Sequence, residues 1–303
     1  MKAEDLLEHV DFLDSFKRYG RVKRVVGLMI ESQGPESSIG DVCFIHVGTK
    51  KKRKIQAEVV GFKDENVILM PYTSLHDISP GSLVETTMKP LEIKAGPGLI
   101  GKVVDSLGVP LDQSSLPKGL ASVPTEQDPP NPLSRPPISE PIEVGVRMID
   151  SLLTVGSGQR VGIFAGSGVG KSTLLGMIAR NTTADLNVIG LIGERGREVR
   201  EFIERDLGPE GLKRSIVVVA TSDQPALMRI KGAYTATAIA EYFRDKGLNV
   251  MLMMDSVTRV AMAQREVGLA VGEPPTTKGY TPSVFAILSR SEERRVGKEC
   301  PLL

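Results

Sequence analysis

Cysteine is nearly missing from this chain: there are two in 303 residues, Cys43 and Cys300, and no CxxC pair. That excludes a disulfide framework and a thiolate zinc site, and it fits a reducing compartment. Tryptophan is absent and aromatics make up 4% of residues. A barrel surface that reads single-stranded nucleic acid stacks bases on aromatic rings, so the shortage disfavours that class. Neither sign of charge is in excess, with 38 Lys and Arg against 37 Asp and Glu, so no polyanionic partner is implied. No apolar run approaches the roughly 20 residues that span a bilayer. The N-terminal stretch MKAEDLLEHVDFLDSF is acidic and broken by charges, unlike a secretory signal. What remains is a chain 41% hydrophobic and 25% charged, an ordinary globular composition and long enough for two domains.

The organisation changes along the chain. Leu6, Leu7, Val10, Leu13 and Phe16 recur at helical spacing, so residues 1–19 read as an amphipathic segment. Two readings stay open for it: a helix packed on its own domain, or a docking helix for a partner. Residues 20–90 read as short strands, RVVGLMI, DVCFIHV, KIQAEVVGF and NVILMPY, separated by turn residues, followed by the turn and strand of ISPGSLVET. Such spacing predicts a small β-barrel or sandwich. KKKRK falls between two of these strands and reads as a solvated hairpin turn. Residues 91–141 form a proline-rich connector, with nine of the twenty prolines lying between Pro110 and Pro141. From 142 to 289 strands alternate with helices. QRVGIFA, LNVIGLIG, SIVVVAT and LNVMLMMD are too continuously apolar for one wet face, which predicts a parallel α/β sheet covered on both sides.

Three segments carry chemistry. Ala165–Thr173 (AGSGVGKST) follows an expected strand and opens an expected helix. In a phosphate loop, the glycines let backbone N–H groups turn toward phosphate oxygens, and the helix N-terminus adds partial positive charge. The candidate binding residues are Ala165, Gly166, Ser167, Gly168, Val169, Gly170, Lys171, Ser172 and Thr173. Lys171 reaches the β and γ phosphates and Ser172 offers a hydroxyl to Mg²⁺. Ala165 replaces the usual first glycine. Met251–Asp255 (MLMMD) is an apolar strand whose carboxylate emerges at the C-terminal end, where α/β sheets bind ligands, so Asp255 is the second candidate for Mg²⁺. Glu194 in GERGREV follows another strand. It is either a base that activates water beside a nucleotide or a carboxylate placed in a helix's first turn.

AGSGVGKST, GERGREV and MMDSVTR, together with QREVGLAVGEPPTTKGYTPSVFA, closely resemble the flagellar protein-export ATPases. These are type III secretion ATPases, relatives of the catalytic subunit of rotary ATP synthases. The resemblance implies a RecA-like P-loop ATPase core, an N-terminal β-barrel and a homo-hexamer. It implies ATP and Mg²⁺ as ligands, Glu194 as the catalytic carboxylate, and Arg195 and Arg259 near the γ-phosphate. It also implies a regulatory stalk protein on the N-terminal helix, an export gate and chaperone–substrate complexes as partners, and a peripheral place at the cytoplasmic face of the membrane. No nucleic acid is implied. The injectisome version shares every motif named. A hexameric RNA helicase and a non-catalytic nucleotide-binding subunit are more distant alternatives.

SVFAIL reads as a buried core strand, and the family continues beyond it into a helical domain holding the arginine finger and the adenine-stacking aromatic. Without the finger, worth about 10³–10⁵ in rate, this chain is expected to hydrolyse ATP poorly or not at all. RSEERRVGKEC (Arg290–Cys300) also matches one translation of a common sequencing adapter, so residues 290–303 are expected to be non-native. Long-read sequencing of the locus across codons 289–303 is expected to show the frame continuing into a helical domain. Persistence of the same codons and stop overturns that expectation.

Overall fold

The computed structural model describes residues 18–48, 53–73, 75, 77–131, 133, 137–166 and 168–294, with side chains to residue 290. The expected N-terminal docking segment up to residue 17, Ser167 and the tail from residue 295 lie outside the described residues. The chain divides into two units, Met1–Pro90 and Leu91–Leu303.

The first unit is a closed six-stranded barrel. Its strands are β1 (Tyr19–Val26), β2 (Met29–Gln33), β3 (Asp41–Val47), β4 (Arg53–Lys63), β5 (Asn66–Pro71) and β6 (Leu83–Pro90). They pair around the barrel in the order β1-β2-β5-β4-β3-β6, and β6 returns to β1. Alternation sorts the side chains: Cys43, Ile45 and Val47 of β3 point inward and meet Ile30, Val59, Leu69 and Val84. Register shifts in β1, β3 and β4 supply the bends that closure needs. The buried Glu58 accepts the hydroxyl of Tyr72 at 2.6 Å, as a carboxylate removed from water requires.

The second unit is α/β. Its central sheet runs β12 (Val250–Asp255), β10 (Leu186–Ile192), β11 (Ser215–Ala220) and β8 (Val103–Val104), all parallel. The helices are α1 (Arg147–Leu152), α2 (Lys171–Asn181), α3 (Gly196–Glu201), α4 (Gly208–Lys213), α5 (Ala226–Arg244), α6 (Val257–Val271) and α7 (Pro282–Arg294), with a π turn, Phe202–Leu207, between α3 and α4. Every residue of β10, β11 and β12 is buried, because helices cover both faces. Leu175 and Ile178 of α2 and Phe202 and Leu207 of the π turn pack on Ile189, Leu191, Val217 and Met253. The long α5 lies across β10, β11 and β12. Gly190 leaves room for Ala236 of α5 and Met254 of β12, which would stand 3.3 and 2.9 Å from a Cβ there. Among the described residues no helix is long and apolar enough to cross a membrane.

Four segments differ from the sequence reading. RVVGLMI is two strands, because Gly27 (φ +58) and Leu28 turn the chain between β1 and β2. The proline-rich stretch is more than a connector: β7 (Glu92–Ala95) pairs with β9 (Ala121–Pro124), and β8 joins the central sheet. QRVGIFA forms no strand. Val161 and Ile163 pack against the core, but Phe164 is 98% exposed, and the flanking Gly162 and Gly166 add nothing to pack. SVFAIL is helix, not strand. Pro282 suits a first helical turn, and Val284 and Ile287, three apart, are buried while Phe285 is half exposed. Short apolar runs fit either period, and here the helical one wins.

Leu69 is fully buried in the barrel. Leu69→Ala is expected to lower unfolding free energy by about 2–5 kcal/mol, read as a shift in urea midpoint at unchanged slope.

Candidate active site

The site forms at the C-terminal edge of the central sheet. Gly168 (φ +76) and Gly170 (φ +92) hold left-handed backbone that a side chain would oppose, and Gly170 is the N-cap of α2. The cap makes no side-chain hydrogen bond. The first turn of α2 therefore presents backbone N–H groups and the positive end of its dipole beside Lys171. Gly166, Gly168, Val169, Gly170, Ser172 and Thr173 are exposed, and the Thr173 hydroxyl contacts Asp206 at 3.3 Å.

Lys171 does not point away from the sheet. Its Nζ lies 2.7 Å from Oδ1 of Asp255, the last residue of β12, whose side chain is only 5% exposed. A buried carboxylate demands a counter-charge, and Lys171 supplies it. Oδ1 has Lys171 as its one partner among the described residues. It is an oxygen with capacity for a second cation. Ser172, next to Lys171, adds an exposed hydroxyl.

Glu194 follows β10, one strand over from β12. Burial, a hydrogen bond with Glu198 and the negative charge of Asp255 push its carboxyl up to about 7, while Arg259 and Lys171 act in the other direction. Glu198, at the opposite end of that bond, is held below its usual range, chiefly by the same bond. The bond between them thus raises one carboxyl and lowers the other. Gly193 (φ +76) makes room for Arg259: a Cβ there would meet the Arg259 stem at 2.9 Å. Arg195 turns outward, 77% exposed, and binds Glu198 at 3.1 Å.

Ala165, Lys171, Asp255 and Arg259 thus share one cleft of about 910 Å³, walled also by Phe164, Met254, Tyr280, Val284 and Phe285. Lys171, Asp255, Arg259 and Glu194 interact electrostatically, whereas Arg195 reaches the group only through Glu198. Glu198 and Tyr280 were not singled out from sequence. Glu198 lies in the first turn of α3, four residues after Glu194 in GERGREV, and its acidic type near a helix start is the available signal. Nothing in the sequence marked Tyr280 as a wall residue.

Comparison with known proteins places the chain. The family description "ATP synthase alpha/beta family, nucleotide-binding domain" matches residues 145–299, and "ATP synthase alpha/beta family, beta-barrel domain" matches residues 22–88. The flagellum-specific ATP synthase of Bacillus subtilis is 71% identical over 299 residues, covering 99% of this chain and 68% of that protein. The type 3 secretion system ATPase of Xanthomonas euvesicatoria is 53% identical over 280 residues, covering 92% and 63%. The assembled ATPase EscN from the type III secretion system of enteropathogenic E. coli superposes with a TM-score of 0.82 at 43% identity, covering 93% of this chain and 68% of that one. EscN in complex with its central stalk EscO gives 0.84 at the same identity, covering 93% and 70%. The chain spans 61–68% of the length of the curated relatives it matches. The barrel and the α/β unit agree with these matches, and the chain belongs to the ATP synthase alpha/beta family, among its flagellar and type III secretion ATPases.

Proposed function

We propose that the protein hydrolyses ATP to drive flagellar protein export, with the reaction centred on Lys171, Asp255 and Glu194. The observation that carries this reading is the Lys171–Asp255 contact, which joins the phosphate loop to the end of β12 at 2.7 Å. Identity of 71% to a flagellum-specific relative favours flagellar export. The 53% identity to a type 3 secretion system ATPase keeps the injectisome as the second reading.

The residues present fit Mg²⁺. Among the described residues no group of three or more His, Cys, Asp or Glu converges, so a closed protein cage is not offered. Mg²⁺ instead takes one or two protein oxygens and completes its shell with water and phosphate. Ser172 and Oδ1 of Asp255 would hold it, and when bound it would neutralise charge on phosphate oxygens. Lys171 would exchange its contact with Asp255 for phosphate oxygen. Backbone N–H groups from Gly168 to Lys171 would cradle the phosphates. Glu194, once ionised, would orient water and accept its proton. Arg259 would balance charge beside Glu194, and Arg195 would hold Glu198 in place.

We propose that the full-length protein works as a homo-hexamer in the cytoplasm at the membrane face, engaging a stalk protein, an export gate and chaperone–substrate complexes. The assembled EscN structures and the EscN–EscO complex support the ring and the stalk. Division into a barrel domain (20–90) and an ATPase core (142–289) is proposed, with residues 91–141 contributing β8 to the sheet of that core.

Lys171→Ala in this chain is expected to lose at least tenfold in affinity for a fluorescent ADP analogue with Mg²⁺, about the value of one charge-assisted contact. In the full-length protein, Glu194→Gln is expected to lower kcat by about 10²–10⁴ with nucleotide binding retained, measured by phosphate release. Because the base form of Glu194 is the active one and its carboxyl is raised to about 7, the rate should fall as pH drops through about 7. Glu198→Gln should move that limb to lower pH, since the Glu198 carboxylate stabilises the protonated form. An unmoved limb assigns it to another group.

A further inference from the structure

The loop from α6 to α7, residues 272–281, ends at Tyr280, which lines the cleft together with Lys171 and Asp255. Its backbone is unusual. Lys278 (φ 55, ψ 22) and Gly279 (φ +76) are consecutive left-handed residues. A lysine in that region is disfavoured by crowding of Cβ against the carbonyl, so the turn persists only where its surroundings hold it. Thr276 closes it from within, donating both its backbone N–H and its hydroxyl to the Tyr280 carbonyl at 2.7 Å. Arg265 of α6 holds it from outside, donating Nε–H to the Gly279 carbonyl at 2.6 Å. Glu273 accepts the N–H of Ser283 in the first turn of α7 at 3.0 Å. Gly268 of α6 lies so near the chain that a Cβ there would stand 2.5 Å from the Thr281 hydroxyl. Val284, Phe285 and Leu288 of α7 then continue the wall that Tyr280 begins.

We propose that Arg265 is a positioning residue of the cleft. Its guanidinium fixes the left-handed turn at Lys278 and Gly279, and through that turn it sets Tyr280 and the start of α7. Arg265 is exposed, so its removal leaves the core intact while releasing the wall. A released wall must be ordered by the ligand, and that ordering weakens binding. The inference rests on reading this cleft as the nucleotide site.

The test uses this chain, with a fluorescent ADP analogue and Mg²⁺ as probe. Arg265→Ala is expected to raise Kd about 3- to 10-fold, the cost of ordering the released wall on binding. Arg265→Lys, whose ammonium can still donate to the carbonyl, should recover part of it. Hydrogen exchange should quicken at the Gly279 and Tyr280 amides, which bond to Thr276 and Thr277, and stay slow in β10 and β11. Wild-type affinity and wild-type exchange in Arg265→Ala overturn the proposal. So does exchange that rises throughout the unit equally for the Ala and Lys variants, which marks a general stability role. Should Arg265→Ala fail to fold, Arg265→Gln is read by the same criteria. If the wild-type chain binds no probe, or Lys171→Ala binds it as the wild type does, the nucleotide reading itself fails. That result differs from intact wild-type binding with an indifferent Arg265.

Discussion

The second unit is organised around one ion pair, Lys171 to Asp255. It links the start of α2 to the end of β12, two elements that the intervening chain keeps apart in sequence. Burying Asp255 at the sheet edge is unfavourable unless a cation stands beside it, and Lys171 stands there because α2 begins at the end of the glycine loop. Removing either partner would strand the other charge, so the pair works as a unit. The remaining charges arrange themselves around it. Asp255 pushes Glu194 toward the protonated form, Lys171 and Arg259 push it back, and Glu198 settles where the proton sits.

The carboxylates depend on the parallel sheet for their common location. Parallel strands deliver their C-terminal ends to one edge, so Glu194 after β10 and Asp255 at the end of β12 meet although distant in sequence. The strands are buried along their whole length, with both faces of the sheet covered, and this fixes the edge at which the carboxylates emerge. Gly193 adds the last adjustment, because any side chain there would press on Arg259 and move a charge away from Glu194.

Much of this was legible in the residues. The barrel strands announced themselves through β-branched content and turn residues, and the phosphate loop through glycine spacing followed by Lys171 and Ser172. The family resemblance supplied roles for Glu194, Arg195 and Arg259 that spacing left open. The misreadings fall on RVVGLMI, QRVGIFA and SVFAIL, short apolar runs that declare neither their turns nor their pairing and, in the last, not their period. Gly27 splits the first. Val161 and Ile163 of the second pack without strand pairing. The third follows Pro282 and becomes α7, which tertiary packing of Val284 and Ile287 decides. The raised carboxyl of Glu194 was illegible for another reason: it depends on burial and on charges from separate segments.

The buried Oδ1 of Asp255, with a single ammonium for a partner, also bears on how firmly the unit stays folded. An incompletely satisfied anion in the interior disfavours the native state, and a ligand that completes its shell binds only that state. By mass action the unit would then resist unfolding in proportion to the logarithm of available magnesium nucleotide. A loaded unit would then outlast an empty one, and the folded population would follow the occupancy of the cleft.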